Sequence, residues 1–224
     1  MRFSPLIPPA AVFGFVYGLI KDQYGKISPL PILQLPEQLR EQDPNLLFQP
    51  HYRMENKPFL LQLGPRIFNL AALDQGYPGW QTFRDEILRL FDIFARNSVI
   101  DSVTRIGMRY INYFSFNVFD VSNFSINLEQ APLMNKKTLL RVEFTDGNLV
   151  TALLITNGGQ VRIGKEAKQG SIIDLDTFCL KPNLQGNKSE EFRLLIEGAH
   201  QTLKQRFFSG LKEAYVSSLD PRYE

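Results

Sequence analysis

The residues able to do polar chemistry gather in three short segments. RIGMRYINYF (105–114) carries Arg105 and Arg109; at a period of two they share one side with Gly107, Ile111 and Tyr113. Ile106, Met108, Tyr110, Asn112 and Phe114 take the other side. GSIIDLDTF (170–178) puts Ile172, Asp174 and Asp176 on one side, against Ile173, Leu175 and Thr177. Two carboxylates about 7 Å apart along a strand repel each other unless cations neutralise them. RVEF (141–144) adds Arg141 and Glu143 on one side of a further strand. The expectation is a charged cross-strand ladder of Arg105, Arg109, Arg141, Glu143, Asp174 and Asp176 on one face of a sheet.

What the ladder does depends on its cover. Open to water, it is a solvated surface of little energetic weight. Covered by a helix or a partner, it lines a polar cavity whose arginines can grip an anionic ligand through bidentate contacts. A second chemistry uses the acids alone. Asp174, Asp176 and Glu143 are oxygen ligands of the kind that hold Mg²⁺ or Mn²⁺ for hydrolysis or phosphoryl transfer. Asn112, on the apolar side of its strand, is expected to satisfy backbone groups at a bend or bulge.

Familiar catalytic motifs are missing. His51 and His200 are the only histidines, and each reads as a structural residue, His51 in a strand beside Pro50 and His200 at the edge of a helical stripe. No HExxH, CxxC or paired-histidine spacing supports a zinc site. There is no GxSxG, and the single cysteine, Cys179, lies in an apolar strand-like run that suits an inert thiol. TNGGQVRIGK (156–165) has glycines and a lysine but is no Walker loop, and Gly158-Gly159 is expected to turn the chain. No catalytic residue, metal or cofactor is assigned.

The elements that must position these residues follow from composition and pattern. The 224 residues are 44% apolar and include 18 Phe and 8 Tyr, a balance that favours strands. With 25 basic and 23 acidic residues, the net charge of +2 gives no electrostatic case for nucleic acid. One cysteine excludes an internal disulfide framework. The apolar run 7–20 is interrupted by Pro8 and Pro9 and stops at Lys21-Asp22, so a first strand buried on both faces is expected over 10–22, and neither a signal nor a membrane span. A cytoplasmic location follows from that reading.

A short helix is expected after Pro36, then strands over 48–55 and 57–73 with a turn at Asn56-Lys57 and a break at Gly64-Pro65. GYPGW opens a helix whose stripe is Trp80, Phe83, Ile87, Leu90, Phe91 and Phe94, ending near Asn97. Strands are expected over 101–117, 124–129, 139–144, 149–157 and 171–180, with Asp146-Gly147 as a hairpin turn. A long helix from a Ser189 cap to about 217 closes the chain. The fold class is α+β: a mainly antiparallel sheet of about eight or nine strands, two main helices and a short one, the C-terminal helix packed on the sheet. One domain over 1–224 is expected, its halves 1–97 and 98–224 sharing the sheet.

QLGPRIFNL, YPGWQTFRDEI, IGMRYINYF, GSIIDLD, and HQTLKQRFF leading to LDPRYE together resemble the sporadically distributed, uncharacterised prokaryotic family marked by a YPGW-type helix start and an RYIN strand. The resemblance spans nearly the whole chain and implies no reaction, cofactor or catalytic residue. Patchy distribution is shared with mobile defence and toxin–antitoxin genes, which implies a binding or regulatory protein. The expected function is recognition of a protein partner or a small anionic ligand, by Arg105, Arg109 and Arg141 with Asp174 and Asp176 orienting them. A metal-dependent enzyme is the alternative, and RNA binding through exposed aromatics is a third reading that near-neutral charge disfavours. Homo-oligomerisation is left open.

Overall fold

The computed structural model describes residues 1–73, 76–129, 131–163, 166–185 and 188–219. After β1 (Arg2–Pro5), a 3₁₀ turn at Pro9–Ala11 runs into α1 (Val12–Ile20). This corrects the strand expected over 10–22. Val12, Val16 and Ile20 are buried at helical spacing, while Gly14, Phe15, Gly18 and Leu19 face water. Phe15 and Leu19 are 44% and 39% exposed. Apolar residues on the wet side hide the helical period, and Pro9 sets a φ that suits the first turn.

β2 (Lys26–Pro29) has four residues and ends in a proline, which offers no N–H. α2 (Glu37–Gln42) follows Pro36 as expected. β3 (Tyr52–Asn56), β4 (Phe59–Gly64) and β5 (Ile67–Ala72) form an antiparallel meander. The strand expected from Phe48 starts only at Tyr52, although the His51 N–H still donates to the Leu63 carbonyl at 2.9 Å. α3 (Trp80–Arg96) buries Phe83, Ile87, Leu90, Phe91 and Phe94 and stops where the Asn97 amide donates to the Ile93 carbonyl at 2.8 Å.

The remaining strands are β6 (Ile100–Phe114), β7 (Asn127–Leu128), β8 (Ala131–Pro132), β9 (Thr138–Asp146), β10 (Leu149–Ile163) and β11 (Glu166–Gln185). The strand expected over 124–129 shrinks to β7, which pairs only with β8. β9 and β10 meet at the expected hairpin, where Gly147 takes φ +60, the conformation a two-residue turn needs at its first position. Gly158 does not turn the chain. It sits at φ +65 inside β10, where the register to β11 slips between Thr156 and Gly159, so it absorbs a bulge. Lys165 of that motif lies outside the described residues.

The expected single C-terminal helix is α4 (Ser189–Ser209) followed by α5 (Glu213–Ser218). The break has a backbone cause. Asn123 N–H donates to the Gly210 carbonyl and Lys212 N–H to the Val121 carbonyl, both at 2.8 Å, so 210–212 pair with 121–123 instead of extending the helix. The Ser189 hydroxyl, at the start of α4, donates to the Asp92 carboxylate. Of the LDPRYE motif, 220–224 lie outside the described residues.

Nine strands form one sheet in the order β2-β3-β4-β5-β1-β6-β11-β10-β9, and the described pairings are antiparallel. The class is α+β, with α4 packed on the sheet. Two compact units can be distinguished: Met1–Ile106 with Leu180–Ile196, and Gly107–Cys179 with Glu197–Glu224. Their boundary crosses β6, β11 and α4 and so differs from a cut at residue 97. In the first unit, Phe91 and Phe192 stack at 3.9 Å within a core that includes Tyr24, Leu61, Leu63 and Phe94. The core of the second holds Leu153, Ile155, Ile173, Leu175 and Leu203. Among the described residues no helix is long and apolar enough to cross a membrane.

Candidate functional site

Side chains alternate cleanly on the strands of the second unit. Thr151, Leu153 and Ile155 of β10, with Ile173, Leu175 and Thr177 of β11, are buried on the core face. Thr151 and Thr177 share a buried hydroxyl–hydroxyl hydrogen bond at 2.8 Å there. The residues between them form the outer face, and strand register sets its rows. Arg141 stands opposite Leu154, which stands opposite Asp174; Glu143 stands opposite Ala152, which stands opposite Asp176.

Arg109 joins the first of these rows. Its Nε donates to Asp174 Oδ1 at 2.8 Å and its Nη2 to Oδ2 at 2.5 Å, a bidentate pair. Asp174 is only 6% exposed, whereas the Arg109 side chain is 57% exposed and lies open to water. Its hydrogen bonds to Asp174 raise the Arg109 pKa further, against burial, and the charges of Asp174 and Asp176 act in the same direction. Arg141 and Glu143 pair with each other along β9, with side chains 61% and 46% exposed. Arg105 belongs to the first unit, where it stands opposite Arg2 of β1. The structure thus brings Arg109 and Asp174 into contact, keeps Asp176 within electrostatic reach, and makes Arg141–Glu143 a separate pair.

This geometry bears on each chemistry the residues suggest. The bonded guanidinium of Arg109 and that of Arg141 already face carboxylates. The three acids do not converge as a donor set either, since Asp174 is held by Arg109 and Glu143 by Arg141. Among the described residues no group of three or more His, Cys, Asp or Glu is placed to hold a metal ion. Beside the charged rows runs an uncharged one: Leu139 stands opposite Thr156, and Thr156 opposite Ile172. Leu139 is 73% exposed, and Ile111, two residues along β6 from Arg109, is 58% exposed.

Sequence patterns gave no sign of two further polar arrangements. Ser171 Oγ lies 2.8 Å from both the Phe116 carbonyl and Asn157 Oδ1, and it accepts the Val118 N–H at 3.3 Å. This network ties the connection after β6 to the sheet; the alternation of apolar residues cannot reveal it because its partners are mostly backbone. In the first unit, a cavity of about 210 Å³ is lined by Pro9, Phe13, Arg40, His51, Tyr52 and Arg66, among others. Phe13 stacks on Tyr52 at 3.6 Å, and Arg40 Nη1 lies 3.3 Å from His51 Nδ1. Glu37 and Glu41 also line it and balance the arginines. Reading α1 as a strand conceals this cavity.

Asn112 Nδ2 donates to the Ile173 carbonyl at 3.4 Å, the backbone role expected of it. Cys179 is buried, and burial pushes its thiol pKa up. His200 is buried and shares a 3.0 Å hydrogen bond with the Tyr110 hydroxyl. Burial first, and then Lys204, holds His200 below the usual imidazole value, against Glu197; burial and then Arg40 do the same for His51, against Glu37. Both imidazoles therefore favour the neutral form in the fold. As pH falls through the unfolded value of 6.5, the unfolded chain binds protons first, so stability is full above it and declines toward the lowered folded values. Thermal unfolding scanned from about pH 7.5 to about pH 5 should show a falling Tm, with a shallower slope in a His200→Gln chain. A Tm that stays flat, or a slope that the substitution leaves untouched, would count against this account.

The chain matches no family model, and no curated protein or solved structure matches it.

Proposed function

We propose that the chain is a non-enzymatic binding domain whose partner is a protein lying across the outer face of β6, β11, β10 and β9. One observation carries this reading: both Arg109 and Arg141 are already paired with carboxylates on that face, while Leu139 and Ile111 are exposed to water. Arginines awaiting a small anion would be left without carboxylates, because an anionic ligand must displace them. A face whose arginines are already paired, beside exposed apolar side chains, suits a polypeptide surface instead, where apolar contact supplies affinity and charged residues set register.

A photo-reactive amino acid placed at Ile111 tests this in the host cell. The expected result is a discrete adduct to a protein other than the chain itself, lost when Leu139 is changed to Asp. The control position is Leu194 of α4, which is also 58% exposed. Equal labelling from Leu194, or no adduct from Ile111, would sink the reading. In parallel, millimolar inorganic phosphate should leave the Tm unchanged; a rise that disappears on changing Arg109 to Ala would favour a small anion.

A further inference from the structure

The sheet stops at β9, and this edge has features that its outer face does not require. β9 is nine residues long, and its ladder to β10 runs without a slip from Asp146↔Leu149 to Thr138↔Asn157. Among the described residues no strand covers its other side. Long, regular, unprotected edges are uncommon, because they offer a row of unpaired N–H and C=O groups to any passing strand.

The free groups can be identified. The pair closing a two-residue hairpin is hydrogen-bonded, so Asp146, Phe144, Val142, Leu140 and Thr138 direct their backbone groups toward β10. Leu139, Arg141, Glu143 and Thr145 direct theirs outward. A second β9 running antiparallel must bring outward residues opposite outward residues, which restricts the two-fold axis to a residue position. An axis at Arg141 or Glu143 places like charges opposite each other. An axis at Val142 places Arg141 opposite Glu143 twice, Leu139 opposite Thr145 twice, and, on the core side, Leu140 opposite Phe144 around a central Val142 pair. An axis at Phe144 leaves both charges without an opposite partner, and an axis at Leu140 sets Arg141 opposite Leu139 and leaves Glu143 only Lys137, beyond the end of β9, with a shorter overlap of the two strands.

We infer that β9 is a homodimerisation edge: two copies join antiparallel about Val142 into a continuous β11-β10-β9-β9-β10-β11 stretch. The four outward pairs exchange two bonds each, about eight backbone hydrogen bonds in all. The Arg141–Glu143 ion pair that lies along one strand becomes a cross-strand pair between copies. This concerns the edge of the sheet rather than its face and stands whether or not the face binds a partner.

Sedimentation of the full chain over a range of concentrations tests it. The wild type should move to twice its monomer mass as concentration rises. Arg141→Glu, which sets Glu opposite Glu twice, should weaken the dimer at least ~10-fold, and Glu143→Arg should do the same. The doubly exchanged chain, Arg141→Glu with Glu143→Arg, should regain the wild-type dissociation constant, because opposite charges again face each other. Circular dichroism should be unchanged throughout, since these side chains are on the surface. Register has its own readout. Val142→Cys should form an interchain disulfide under mild oxidation, whereas Leu140→Cys and Phe144→Cys should not; the native Cys179 is buried and does not compete. A wild type that stays monomeric at every concentration, a dimer indifferent to Arg141→Glu, a double exchange that restores nothing, or cross-linking that favours position 140 or 144 would each overturn the inference.

Discussion

A Leu203→Asp chain is expected to lose about 3 kcal/mol or more of folding stability. Leu203 has no exposed surface, and it follows Ala199 by one helical turn on α4. The unit it belongs to is packed with Leu153, Ile155, Ile173 and Leu175. A carboxylate there either ionises without a partner or stays protonated against its intrinsic pKa, and both outcomes destabilise. Denaturant unfolding should show the midpoint falling sharply, or no cooperative transition at all. An unchanged midpoint would mean that α4 lies on the sheet without contributing to its core.

Replacing Asp174 and Asp176 together by Asn should lower stability by about 1–2 kcal/mol without any added metal. The figure is below that for a fully buried pair because the Arg109 side chain is 57% exposed, so water takes up part of the lost interaction. What remains is the bidentate geometry: an asparagine amide offers one acceptor oxygen where the carboxylate offers two, and sets an NH₂ donor against the second guanidinium nitrogen. Mg²⁺ or Mn²⁺ should leave the wild-type Tm where it is in chelator. A metal-dependent rise that vanished in the double variant would reverse the reading, because a ligand bound only by the folded state stabilises it by mass action.

Period was a good guide wherever one side of an element is wet and polar. The α3 stripe from Phe83 to Phe94 and the alternation around Asp174 were legible from period, and the Asp146-Gly147 hairpin from turn chemistry, because Gly147 takes the positive φ that the turn requires. α1 was not, because Phe15 and Leu19 are apolar on its exposed side and leave the pattern without contrast. The end of α4 escaped as well: the pairing of 210–212 with 121–123 joins segments far apart in sequence, and no local propensity encodes it. In the ladder, side was legible and pairing was not. Alternation gives the face a residue occupies and sets Arg141 two residues from Glu143 on β9, but only the way β6 lies against β11 decides that Arg109 meets Asp174. Arg105 shares a side of β6 with Arg109, yet four residues along the strand put it opposite Arg2 in the other unit.

The opposite end of the sheet limits what β9 can build. β2 is the terminal strand there, with four residues and a proline as its last, and Pro31 follows close behind. Such a short margin lacking a donor is a poor template for another chain. A filament needs two mutually adhesive ends on every subunit, and the pairing inferred for β9 provides one. On that inference, growth by strand addition would terminate after a single step, leaving a closed pair rather than a polymer.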